Sequence, residues 1–258
     1  MTFTARTPRV VAARKLQRRK DRDQSGRFLA EGPQAVREAL AAGVVVELFG
    51  TAAAFDRYPE LMNDAPTSLV DEDAITALTE TVQPQGLVAV CERIDVTLSV
   101  ALAKGPRLVA VAAEIRDPGN AGTVLRTADA AGAGAVIFAG DAVDPYNGKC
   151  VRSSAGSLFH VDVVRAPLGV VADLQDSGLQ VLATTGHGSD DLDSLLDEGV
   201  LAAPTAWLFG SEAHGLPDEL LDAADRRVRV PIYGAAESLN LAAAAAVCLY
   251  ASAAAQRA

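Results

Sequence analysis

Past residue 106 this chain alternates short strand-like runs, most of them apolar, with helical patterns, and few folds accommodate that alternation. The runs fall at 108–113, 135–138, 161–164, 180–183, 206–209 and 227–230. Helical patterns lie between them at 121–131, 148–156, 168–176, 217–223 and 239–254. Strands separated by a helix's length of chain pair in parallel, so the spacing predicts an α/β domain: a mostly parallel sheet with helices on both faces. In such a sheet the residues just after the strands meet ligands. Here those positions hold Gly, Asn, Glu and Ser.

The first third reads as a separate, smaller α/β module. The expected elements are a basic helix at 10–22, strands at 28–30, 44–49 and 86–91, and helices at 34–42 and after Asp71-Glu72-Asp73, whose acids suit a helix start. Lys104-Gly105-Pro106 precedes the first strand of the larger domain. The expected division is therefore a module at 1–95, a linker at 96–106 and a second domain at 107–258.

The formal charge of −10 argues superficially against a polyanionic partner, but its distribution does not. Residues 1–30 carry nine Lys or Arg against Asp21 and Asp23, leaving a strongly acidic remainder. Local potential guides docking more than net charge does, so a basic arm marks a phosphate-binding surface; a merely solvated terminus is the bland alternative. Cys91, Cys150 and Cys248 are odd in number and far apart, which favours reduced thiols in a cytoplasm over disulfides or a zinc site. His160, His187 and His214 show no ligand spacing with them, and no metal is expected. The run at 241–255 is Ala-rich and too short to span a bilayer, and no secretory signal stands at the start, so no membrane partner is expected.

Three segments carry chemistry: Asp117-Pro118-Gly119-Asn120 running to Arg126, Leu208-Phe209-Gly210-Ser211-Glu212, and Val230-Pro231-Ile232 running to Glu237-Ser238-Leu239-Asn240. Together and in this order they resemble the three motifs of the SpoU/TrmH family, knotted RNA 2′-O-ribose methyltransferases that use S-adenosyl-L-methionine. The resemblance spans residues 107–250, with a looser match in the N-terminal module. It implies a deep C-terminal trefoil knot, which spacing alone does not show, and an N-terminal domain that binds the RNA substrate.

What the resemblance implies for single residues stands beside plainer readings. Asn120, Arg126, Glu212, Ser238 and Asn240 become the catalytic set; otherwise Asn120, Ser238 and Asn240 are helix caps, Glu212 a helix-start acid and Arg126 a solvated cation. A ribose hydroxyl needs in-line positioning and removal of one proton, and no metal or redox centre. Arginine stays protonated in proteins, so Arg126 is preferred as a cation that grips the adjacent phosphate and stabilises the forming alkoxide. The proton acceptor is left open between Arg126, a phosphate oxygen and water. Thr184, Thr185, Gly186, Leu208, Phe209, Gly210, Ile232, Ser238, Leu239 and Leu241 are expected to wall the cofactor pocket, with Gly210 leaving space for the adenine. Arg14, Lys15, Arg18 and Arg19 on the arm, with Arg152 and Ser154, are expected to touch RNA. Ala242 departs from the family pattern, which commonly has a small hydroxyl residue there.

An oxidoreductase would need G-x-G-x-x-G opening a helix, whereas Gly132-Ala133-Gly134 precedes a strand. A non-catalytic RNA-binding protein is the remaining rival, and joint retention of the five catalytic positions argues against it. The two-domain layout leans toward rRNA over tRNA as substrate. The apolar final helix, with the resemblance, implies a homodimer through the catalytic domain.

Overall fold

A computed structural model describes residues 1–258. Its contacts divide the chain into two compact units: residues 1–94 with 144–159, and residues 95–143 with 160–258. This differs from the expected division into 1–95, a linker at 96–106 and 107–258: residues 95–106 belong to the second unit, and the segment 144–159 packs with the first.

The first unit begins with α1 (Pro8–Lys15) and α2 (Arg19–Ser25), then β1 (Arg27–Glu31), α3 (Pro33–Ala41), β2 (Val45–Gly50), α4 (Ala52–Arg57), β3 (Thr67–Leu69), α5 (Glu72–Leu78) and β4 (Leu87–Glu92). The four strands form one sheet in the order β1-β4-β2-β3. The expected strands and helices are present; β3 and α4 carry no strong pattern and were not foreseen. The single basic helix expected at 10–22 is broken at Leu16–Arg18. The cause is Arg22, only 3% exposed, whose Nη1 donates to the carbonyls of Leu16 and Gln17 at 2.9 Å each. A buried guanidinium replaces the next helical turn as partner for those carbonyls. Arg22 therefore leaves the list of basic groups open to a ligand.

In the second unit the expected linker holds a helix, α6 (Leu98–Ala103), capped by Thr97 and packed on the sheet. Then follow β5 (Leu108–Ala113), α7 (Pro118–Ala131) and β6 (Ala135–Ala139). The chain then supplies the first unit with Asp144, Tyr146 and α8 (Gly148–Ser153). Asp144 pairs with Arg22 at 2.7 Å, and Tyr146 and Phe159 flank the Phe28 ring at 4.6 and 6.1 Å. The helix expected at 148–156 thus stops early, with Ala155 and Gly156 at positive φ.

The second unit continues with β7 (Asp162–Ala166), α9 (Val171–Asp176), β8 (Gln180–Thr184), β9 (Asp190–Asp191), α10 (Leu192–Asp197), β10 (Thr205–Phe209), α11 (Asp218–Ala223), β11 (Arg226–Arg229) and α12 (Leu241–Ala255). All seven strands are parallel, in the order β7-β6-β5-β10-β8-β11-β9. Every residue of β5, β6 and β10 is buried, as expected for strands covered on both faces. β10 inserts between β5 and β8, and β11 between β8 and β9. Register then aligns three strand ends: Leu208 opposite Ala183, and Val228 opposite Thr184. The loops after β8, β10 and β11 leave the same edge of the sheet. α12 is fixed behind them by Trp207, whose buried indole donates to Ser252 Oγ at 2.9 Å.

Candidate active site

Those loops enclose a cleft of about 1150 Å³ lined by Thr184, Gly210, Glu212, Ile232, Ser238 and Leu239, among others. Its second wall is a tight loop, Ser211–Gly215, closed by Ser211 N to Gly215 O at 3.0 Å and Gly215 N to Ser211 O at 2.9 Å. Gly215 takes φ +70°, and the loop folds back onto the strand end. A Cβ on Gly210 would lie 2.2 Å from the Gly215 carbonyl carbon and 2.3 Å from Leu216 N. The returning loop therefore requires a bare residue at Gly210, a demand the sequence does not announce. The loop presents Glu212 at its exposed tip.

The three motifs meet in one hydrogen-bonded chain. Asp117, not Asn120, caps α7, accepting from Asn120 N at 2.8 Å. Relieved of capping, the Asn120 amide donates from Nδ2 to Glu212 Oε1 at 2.6 Å and accepts from Asn240 Nδ2 at 3.3 Å. Asn240 is the true cap of α12, its Oδ1 accepting from Ala242 N at 2.9 Å and Ala243 N at 3.4 Å. The cap sets the polarity of the whole chain. Because Asn240 Oδ1 faces the helix, its amide nitrogen must face Asn120, and the Asn120 nitrogen must then face Glu212. Ser238 makes no hydrogen bond, and its hydroxyl is exposed beside the cleft.

Arg126 is exposed on α7, without an ion pair or side-chain hydrogen bond. Of the nine Lys and Arg in this unit, six are ion-paired: Lys104, Arg116, Arg165, Arg226, Arg227 and Arg229. Arg107 and Arg257 donate to backbone carbonyls. Arg126 alone has no partner.

Eight of the ten expected cofactor residues line the cleft: Thr184, Thr185, Gly186, Gly210, Ile232, Ser238, Leu239 and Leu241. Leu208 and Phe209 do not; both side chains are fully buried in the core. Leu208 contributes through its carbonyl, which accepts from Thr184 Oγ1 at 2.8 Å. Sequence reasoning missed Asp191, Asp193, Arg229 and Tyr233, which also line the cleft. Arg229 grips Asp191 bidentately at 2.5 and 2.8 Å, which holds that carboxyl below its usual range and the guanidinium above its own. Tyr233 donates to Asp193, and that bond raises the phenol's pKa. Asp190-Asp191-Leu192-Asp193 reads in sequence only as acids at a helix start, so nothing local marks these residues.

Among the expected RNA contacts, Arg14, Lys15, Arg18 and Arg19 are exposed, and only Arg19 is paired, with Asp23 at 3.7 Å. The other two are corrected. Ser154 is fully buried and donates to Val151 O at 2.8 Å. Arg152 is spent on Glu31 at 3.0 Å and Glu80 at 3.7 Å, serving the unit's own structure. No cluster of His, Cys, Asp or Glu could hold a metal ion, and no helix is long and apolar enough to cross a membrane.

A doubly covered parallel α/β sheet with a cleft at its strand ends, and a hydrogen-bonded Glu212–Asn120–Asn240 chain drawn from the loops there, defines a ligand-binding site of the α/β class. The SpoU rRNA Methylase family pattern matches residues 107–250, and an MRM3-like substrate binding domain matches residues 7–89. The 23S rRNA (guanosine(2553)-2'-O)-methyltransferase RlmP of Bacillus subtilis is 36% identical over 250 residues, 96% of each chain. An AdoMet-bound rRNA methyltransferase from Sinorhizobium meliloti superposes with a TM-score of 0.84 at 31% identity, covering 98% of this chain and 97% of its own. The SpoU methyltransferase AviRb from Streptomyces viridochromogenes, in complex with AdoMet, gives 0.84 at 30% identity, covering 98% of both. The chain belongs to the SpoU rRNA methylase family. Its activity is methyl transfer to an RNA ribose 2′-hydroxyl, with S-adenosylmethionine as cofactor.

Proposed function

We propose that this enzyme methylates the 2′-hydroxyl of a guanosine in 23S rRNA. The cleft's chemistry fits the cofactor: Ile232, Leu239 and Leu241 offer apolar contact for a purine, while Ser238 and the carboxylates of Asp218 and Glu237 suit hydroxyl and ammonium groups. When bound, S-adenosylmethionine supplies an electrophilic methyl on a sulfonium. Arg126, as the single unpaired cation of its unit, carries the rest of the reading. It binds the phosphate next to the target ribose and stabilises the alkoxide as the hydroxyl loses its proton to a phosphate oxygen or water. Glu212 and Asn240 hold Asn120 in one orientation, which fixes the ribose against the cleft. Thr184, Thr185, Gly186 and Gly210 complete the pocket through backbone and hydroxyl groups.

The basic face of α1 and α2, with Arg14, Lys15, Arg18 and Arg19, docks the rRNA through phosphates. The exposed apolar residues of α12, Val247 and Tyr250, support a two-fold dimer through the catalytic unit, checked by sedimentation of the full chain. The buried thiols suit a cytoplasmic enzyme, and the family's knot is part of the same reading. The guanosine assignment rests on identity to RlmP along nearly the whole chain. A 23S rRNA (uridine(2479)-2'-O)-methyltransferase of Streptomyces viridochromogenes is 39% identical over 140 residues, about half of this chain. Mapping 2′-O-methylation in 23S rRNA from a deletion strain, with and without the restored gene, decides between them. A lost guanosine mark that returns on complementation supports the proposal; a lost uridine mark, or a mark in tRNA, refutes it.

A further inference from the structure

The segment 231–239 joins β11 to α12 as a strap, and its attachment is slight. None of its nine residues lies in a helix or strand, and none makes a backbone hydrogen bond. Yet it carries Ile232, Ser238 and Leu239, which form one side of the cofactor cleft. Three of its large side chains are left in water: Ile232 at 39% exposure, Tyr233 at 85% and Leu239 at 41%. Apolar groups held at a cleft by so few bonds need a tether, or the strap will drift from the ligand it is meant to cover.

The structure supplies one tether. Tyr233 donates its hydroxyl to Asp193 Oδ2, the strap's sole hydrogen bond to the rest of the protein. Asp193 stands in the first turn of α10, which is itself anchored: Leu192 and Leu195 are buried, and adjacent Asp191 is gripped by Arg229 at 2.5 and 2.8 Å. The fixed partner is therefore α10 and the moving one the strap. Asp193 has no cation of its own, so its carboxylate is available to the phenol. The bond keeps the Tyr233 proton on its oxygen, so the donor persists through the neutral range. Gly234 follows immediately, and a residue without a Cβ leaves the backbone there a wide choice of conformations once the tether opens.

We propose that Tyr233 and Asp193 are positioning residues that latch the strap over the cofactor and set how long S-adenosylmethionine and its demethylated product stay bound. Neither touches the methyl group or the ribose. The inference rests on the cleft being the cofactor site, and the test separates the two. Dissociation of S-adenosylmethionine and of S-adenosylhomocysteine is followed by stopped flow on the full chain, for wild type, Tyr233→Phe, Asp193→Ala and the double variant.

Each single variant releases both ligands roughly three- to tenfold faster, the size of one partly solvated hydrogen bond to a charged group. The double variant is no faster than either single one, because all three lack the same bond. Single-turnover methyl transfer at saturating cofactor stays within about twofold of wild type, which a damaged fold or a catalytic role would not allow. Unchanged release, additive effects in the double variant, or an equal loss of single-turnover rate overturns the latch. Wild-type protein that retains neither ligand overturns the cleft assignment as well.

Discussion

Removing Arg22 is expected to destabilise the N-terminal unit more than any surface change could. Arg22 and Asp144 are 3% and 2% exposed, with Nε and Oδ2 at 2.7 Å. In Arg22→Met the Asp144 carboxylate stays buried with one remaining partner, the Tyr146 amide at 3.1 Å. The carbonyls of Leu16 and Gln17 lose their shared donor in the same step. Breaking one side of a buried pair costs about 3–5 kcal/mol, since the other charge is left uncompensated. At about 4 °C per kcal/mol for a unit of this size, melting of the N-terminal unit should fall by roughly 12–20 °C. Thermal scans of the full chain, with limited proteolysis to locate the cleaved segment, measure it. The companion variant Arg22→Met/Asp144→Leu removes both charges and should recover most of the loss. A single variant melting within a few degrees of wild type refutes the argument, as does a double variant no more stable than the single one.

Three further outcomes follow from the site. Arg126→Ala should keep cofactor affinity in calorimetry while methyl transfer falls by about 10²–10³, the cost of losing one preorganised charge at a developing anion; a near wild-type rate would remove Arg126 from the chemistry. Neutralising Arg14, Lys15, Arg18 and Arg19 together should lower the slope of log K against log salt by about three units if each holds one phosphate. Turnover at saturating RNA should persist, and an unchanged slope would place the RNA elsewhere. Gly210→Ala should misplace Glu212 and depress methyl transfer, because its Cβ would sit 2.2 Å from backbone that cannot yield as a side chain could; a fully active variant would show that the 211–215 loop can shift at no cost.

Six of the seven strands of the larger sheet were legible because strand and helix patterning is local, and strands buried on both faces leave a continuous apolar signature. β9 escaped notice because it has two residues, Asp190 and Asp191, whose pairing with β11 leaves no periodic trace. Arg22 was counted among the arm's cations, since nothing beside it in sequence announces Asp144, which lies 122 residues away. Arg152 and Ser154 were misassigned for the same reason: their partners and burial come from packing. Gly210 was marked as special, and the folded loop adds a neighbour that demands it, the Gly215–Leu216 backbone.

By itself the sequence determined that three polar segments follow three strands, because capping, turn chemistry and hydrophobic periodicity act within a few residues. It also placed Asn120, Glu212 and Asn240 within those segments. Only the tertiary structure joined them, by setting β10 beside β5 and β11 just beyond β8, so that their ends open on one edge of the sheet. It alone decided that Asp117 caps α7, that Asn240 caps α12 and so orients the Asn120 amide toward Glu212. Which arginine is left without a partner was likewise a tertiary outcome. Charge can be counted along a chain, but whether a charge is spent or free depends on what folding brings within hydrogen-bonding distance.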